Sequence, residues 1–126
     1  MKKDYLIIDR AKWRTGGLSH VQTGEGGTAL LNNDGFMCCL GFRCHQMGIP
    51  KKDLLGKWGP SDVANWNIPD LVNDVDSDTE FSRKAMHIND SANLPPEEKE
   101  REITEHFATI GVTVEFKGKY PKKQNK

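Results

Sequence analysis

Five glycines fall between Gly16 and Gly27 in "TGGLSHVQTGEGGT", and each glycine inside a helix costs about 1 kcal/mol relative to alanine. No helix survives such density, so the segment reads as a mobile loop or a wide hairpin. Upstream, Tyr5 to Ile8 is a short apolar run that predicts a first strand. Downstream, Thr28 to Leu31 can return as a second, and "NNDG" (Asn32 to Gly35) then turns the chain. A strand, a wide connection and a returning strand set the expected architecture: an α+β fold with a small sheet of about three mostly antiparallel strands, two or three helices packing on one face. The last strand is "VTVEF" (Val112 to Phe116), which alternates as a half-buried strand does.

The helices follow from spacing. Met37, Leu40, Gly41, Cys44 and Met47 make one apolar face of a helix over about Met37 to Met47, closed by Gly48 and by Pro50 beyond it. Gly41 inside it is worth its propensity cost only where another backbone must come close. "PKKDLLG" predicts one short helical turn, and "TEFSRKAMH" a helix from about Thr79 to His87. The clearest helix begins near Pro96, where Glu97 and Glu98 favour its positive end, and stops at Gly111. Its buried stripe is Ile103, Phe107 and Ile110. Residues 57–78, with Trp58, Trp66, Pro60 and Pro69, carry no clear period and read as a long irregular connection.

The chain has 126 residues, 36% of them hydrophobic, which suits one domain and a thin core. Residues 1–116 read as that domain. Residues 117–126, rich in lysine, read as a flexible basic tail dispensable for folding. Eighteen basic and eighteen acidic side chains cancel, so no global field draws the protein to nucleic acid or to an anionic membrane. No window approaches the roughly 18 apolar residues of a membrane span. The N-terminus lacks the pattern of a secretory signal, and an odd cysteine count does not suit a disulfide framework. These features predict a cytoplasmic protein with reduced thiols; a homo-oligomer is compatible with them.

All three cysteines lie in "LLNNDGFMCCLGFRCHQMG". A zinc site needs four ligands within about 2.0–2.3 Å of one ion. On a helix Cys38 and His45 would stand about 10 Å apart along the axis, and Cys39 and Cys44 would diverge around it. One helix cannot close that site, so neither a metal nor another cofactor is expected. "DVDSDTE" imitates the start of a calcium loop, but Thr79 and Ala85 stand where glycine and glutamate are needed. A thiol at Cys38 or Cys39 would occupy the first turn, where helix N–H groups lower its pKa, with His20, His87 or His106 as base. No diagnostic spacing supports that chemistry, and small buried cysteines packing a helix are far commoner.

"KWRTGG" offers a stacking face in Trp13, a bidentate clamp in Arg14 and glycine N–H groups that cradle anions, without matching a phosphate-loop fingerprint. "HIND" places Asn89 and Asp90 where a helix ends. Taken together, "MCCLGF" after a glycine turn, "IND" after a short helix, a Trp-Arg near the first strand and the closing "EEKEREITEHFATIGVTVEF" resemble a group of small accessory proteins of tailed phages and prophages. The resemblance covers most of residues 5–116 and implies action in the host cytoplasm. It carries no activity with it. By position it brings over Trp13, Arg14, Cys38, Cys39, Asn89 and Asp90.

The first expectation is therefore a non-catalytic binder of a small anionic, nucleotide-like host molecule, one use of which would be to sequester a defence signal. Trp13 would stack a base, Arg14 would hold phosphate, and Asn89 and Asp90 would read polar edges. The alternative is a protein–protein inhibitor of a host defence or regulatory protein, anchored by Trp58 and Trp66. A cysteine-dependent enzyme using Cys38 or Cys39 is the second alternative.

Overall fold

A computed structural model describes residues 4–13, 30–32, 35–57, 59–63, 71–74, 77–91 and 94–120. The Gly-rich segment, Arg14, His20, Trp58, Trp66 and the end of the lysine-rich tail lie outside the described residues. In chain order the elements are β1 (Tyr5–Asp9), α1 (Cys39–Gln46), α2 (Lys51–Leu54), β2 (Val72–Asp74), β3 (Ser77–Asp78), α3 (Glu80–Asp90), α4 (Pro96–Ala108) and β4 (Thr113–Lys117). Among the described residues, short 3-10 turns also lie at Arg10–Lys12 and Pro60–Asp62.

The sheet corrects the expected antiparallel arrangement. The first strand pairs with the last, in parallel, with Tyr5 opposite Thr113 and Asp9 opposite Lys117. Parallel neighbours need a crossover, and here nearly the whole chain supplies it. Alternation along "VTVEF" marks which side faces the core but says nothing about strand direction, so the hairpin inferred from the glycines had no independent support. Leu31, at the end of the expected second strand, makes only an isolated bridge to Leu55. A separate two-stranded antiparallel ladder, β2 with β3, forms in the stretch that showed no period.

Helix packing positions everything else. α1 lies against β1, α4 against β4, and α3 contacts both α1 and α4. Leu6 and Ile8 of β1 and Val114 of β4 point into a core with Leu40, Cys44, Ala85, Ile103 and Phe107, all buried. Ile7, on the opposite face of β1, is 45% exposed.

Local chemistry explains the helix limits. Thr79 caps α3 by accepting a hydrogen bond from the Ser82 N–H at 3.1 Å. α4 opens with Pro96, whose missing N–H costs nothing there, followed by Glu97 and Glu98. Gly111, at φ 81°, takes the left-handed conformation that reverses the chain from α4 into β4. In α1 a Cβ on Gly41 would lie 1.9 Å from the Leu30 carbonyl oxygen. The glycine is there because the incoming chain at Leu30 touches the helix backbone.

Candidate functional site

The residues singled out in the sequence converge, and they do so inside the protein. Trp13 follows the 3-10 turn after β1 and is 2% exposed. Its indole Nε1–H donates to Asn89 Oδ1 at 2.7 Å, and the Cys39 backbone N–H donates to the same oxygen at 3.0 Å. Both lone pairs of that oxygen are therefore used. α1 has no side-chain cap of its own at Cys38; Asn89, from the end of α3, satisfies one of its orphan first-turn donors instead. Asn89 Nδ2 donates to Asp90 Oδ1 at 3.1 Å.

Lys99 completes the cluster from α4. Its side chain is fully covered, and Nζ donates to the Asn89 carbonyl oxygen at 3.0 Å. A cation at a helix C-terminus is favourable, so the last turn of α3 gains a cap from α4 as the first turn of α1 gains one from α3. One asparagine thus connects the end of β1, α1, α3 and α4. Burial pushes the Lys99 pKa down to about 8, with the Asp90 charge pulling the other way. Lys99 was legible at the sequence level: it sits four residues before Ile103 and eight before Phe107, on the same buried stripe. Its charge hid it.

The thiols belong to this interior. Cys38, Cys39 and Cys44 are all buried and reduced. The Cys39 thiol faces the Ala85 carbonyl oxygen at 3.8 Å. Burial, helped by the Asp90 charge and opposed by backbone hydrogen bonding from Gly41, raises the Cys38 thiol to about 12. Cys39 is pushed well above its ordinary value by burial, with Cys38 and Asp90 adding to the effect. At neutral pH both thiols are therefore held protonated. His106 is committed elsewhere: its Nε2 lies 2.9 Å from the Phe81 carbonyl oxygen and its ring stacks on Phe81. His87 is exposed, and His20 is outside the described residues. Among the described residues no group of three His, Cys, Asp or Glu side chains could hold a metal ion.

Trp13 also packs against two aromatic rings, both tilted relative to it. Phe116 lies 5.0 Å from it and Tyr120 6.2 Å, centroid to centroid. Trp13 is buried and presents no open ring to a base, and Asn89, fully buried, offers no amide to an outside ligand. The six residues carried over by position thus divide: Trp13, Cys39, Asn89 and Asp90 form one hydrogen-bonded cluster, Cys38 sits beside it at the head of α1, and Arg14 lies outside the described residues.

The basic residue that does contribute geometry is Arg10. Its Nε and Nη2 donate to the two carboxylate oxygens of Glu100 at 2.7 and 2.9 Å, and Nη1 donates to the Gly118 carbonyl at 2.9 Å. The Tyr120 hydroxyl also donates to Glu100, and the Arg10 guanidinium stands 5.9 Å from the centroids of both the Phe116 and Tyr120 rings. Burial works to raise the Glu100 carboxyl, but the hydrogen bonds from Arg10 and Tyr120 outweigh it and hold the pKa below its ordinary value. β4 runs through Lys117, one residue past the domain limit read from sequence, and Tyr120 rests on the body of the fold. No sequence signal marked Tyr120, because a lone aromatic in a lysine-rich stretch has no period.

Compared with protein-family models, with curated proteins and with solved structures, the chain matches none of them. No helix among the described residues is long and apolar enough to cross a membrane.

Proposed function

We propose that this chain works by binding rather than by thiol chemistry, and that its ligand is a small anionic, nucleotide-like molecule. The "MCCLGF"/"IND" resemblance supports a phage accessory protein acting in the host cytoplasm, and in this reading binding would withhold a host signal.

The supporting observation is how the ends of the Gly-rich segment are held. Trp13, the residue before Arg14, is tied through Asn89 to the first turn of α1, and the Met37 N–H donates to the Lys12 carbonyl at 2.9 Å. Leu30, on the far side of the segment, is pressed against Gly41 of the same helix and donates its N–H to the Lys57 carbonyl at 2.7 Å. Trp13 and Leu30, the described residues on either side of positions 14–29, are therefore both held against the same helix, α1. In this reading Trp13 anchors the segment, and Arg14 with the glycine N–H groups supplies the phosphate contacts. The buried, protonated thiols weigh against the cysteine-enzyme alternative.

A thermal-shift screen with nucleotides and cyclic nucleotides tests this. A true ligand at 100 times its dissociation constant stabilises the fold by about 2.7 kcal/mol, and Arg14→Ala lowers that shift without changing the unliganded melting temperature. A screen in which no nucleotide stabilises the protein refutes the reading. The second reading, a host-protein partner, draws on Ile7 and Leu55, exposed at 45% and 46%. Suppression of a host-protein complex by Ile7→Lys or Leu55→Lys, with no nucleotide response, would favour it.

A further inference from the structure

We infer that the groove beside Tyr120 is a second site, distinct from the Gly-rich segment, that binds a guanine nucleotide, an inference that rests on the nucleotide-like reading. The groove has a volume of about 620 Å³ and runs between the start of α4 and the end of the chain's last strand. Tyr120 and Pro96 give it apolar walls, and Arg10, Glu97, Glu100 and Lys119 line it with charge.

These charges are not equivalent. Glu100 is engaged by Arg10 through both carboxylate oxygens and by the Tyr120 hydroxyl, so it serves the wall rather than the ligand. Glu97, three residues earlier on α4, and Lys119 are both exposed and enter no ion pair among the described residues. The groove therefore presents one open carboxylate and one open ammonium beside an aromatic face that is already fixed. Tyr120, 36% exposed, is held by its hydroxyl bond to Glu100 and by the Arg10 guanidinium near its ring, so a stacking ligand spends little on ordering it.

The matching ligand is a planar ring with adjacent N–H donors on one edge and an anionic group elsewhere. Guanine presents such an edge, its ring N–H beside its exocyclic amino group, which a carboxylate accepts in two parallel hydrogen bonds; adenine has no equivalent pair. The nucleotide phosphate then meets Lys119. Adenine offers Glu97 no such pair, so the preference comes from the two charge-assisted hydrogen bonds that guanine alone makes.

Isothermal titration with GMP, AMP and guanosine, using the full chain and its Glu97→Gln, Lys119→Met and Arg14→Ala variants, tests the assignment. The expected result is GMP bound roughly tenfold or more tighter than AMP, a preference that Glu97→Gln erases. Lys119→Met weakens GMP but leaves guanosine unchanged. If Glu97→Gln and Lys119→Met bind GMP like the native chain while Arg14→Ala does not, the groove is overturned and the broader function stands. Stabilisation by other nucleotides with no response to GMP overturns the guanine assignment alone, and no nucleotide response at all overturns both. A dimer that dissociates on Glu97→Gln would assign the groove to a second copy of the chain and overturn the ligand.

Discussion

Replacing Asn89 by alanine removes the acceptor shared by the Trp13 indole and the first turn of α1. The two donors lie 2.7 and 3.0 Å from Asn89 Oδ1, in a position with no exposure to water. Each buried donor left without a partner costs about 1–3 kcal/mol, and the vacated carboxamide volume adds a smaller cavity cost. Asn89→Ala should therefore destabilise the fold by about 3–4 kcal/mol, a large part of the roughly 5–15 kcal/mol that holds a domain of this size. Urea unfolding followed by far-ultraviolet circular dichroism measures it, since that signal does not depend on a tryptophan being altered. Trp13→Phe supplies the control, because it removes the indole N–H while keeping most of the ring. In the Trp13→Phe background the Asn89→Ala change leaves one donor stranded instead of two, so its cost should fall by about 1–2 kcal/mol. A cost for Asn89→Ala below about 1 kcal/mol, or strict additivity of the two substitutions, would refute the account of Asn89 as the shared acceptor.

Three further outcomes follow from the same structure. Lysine in an unfolded chain ionises near 10.4, whereas buried Lys99 does so at about 8; below pH 8 both states hold the proton and the full burial cost is present, and between 8 and about 10 the unfolded state binds more protons, so this residue's contribution to stability rises with pH. Relative to Lys99→Met, the native chain should gain about 2 kcal/mol between pH 7 and 10; parallel stability curves would contradict this, and the comparison at each pH is needed because the raised thiol pKa values of Cys38 and Cys39 take stability away above about pH 9. Gly41→Ala would gain about 1 kcal/mol from helix propensity alone, but the 1.9 Å approach to Leu30 should reverse the sign and cost about 3 kcal/mol or more, read as a lowered urea midpoint; a more stable variant would show that the contact yields. Truncation after Gly118 should lower stability by about 1 kcal/mol through loss of the Tyr120 packing and its bond to Glu100, where composition alone predicts no change; an unaltered melting temperature would leave Tyr120 without a role in the fold.

How much of this was legible in the sequence depends on whether the signal was local. The helices announced themselves through local chemistry: Gly48 and Pro50 at the end of one, Pro96 with Glu97 and Glu98 at a start, Gly111 at a stop. Gly41 could even be read correctly as a close approach, because a glycine in a helix needs a reason. Strand direction could not be read, since alternation along Val112 to Phe116 looks the same whether its neighbour runs parallel or antiparallel. Trp13, Cys39, Asn89 and Asp90 were brought together by the resemblance as candidate contacts to one ligand, not as partners of one another. That they meet was not contained in any single segment, because the contacts between Trp13 and Asn89 span 76 positions. The same distance in sequence concealed what they do together: exposed, those side chains would recognise a ligand, and buried, they hold elements in place. Lys99 shows the converse, a charge on a helical stripe that burial turns into a cap.

Thiol accessibility tests most directly the claim that the cysteine cluster is closed interior rather than a reactive site. Under native conditions at pH 8, a chromogenic disulfide reagent should label none of Cys38, Cys39 and Cys44 faster than the protein unfolds, so that the labelling rate falls as stability rises and all three thiols react together in denaturant. Rapid labelling of Cys38 or Cys39 in the folded protein, at a rate indifferent to stability, would contradict the account and return thiol chemistry to the first turn of α1.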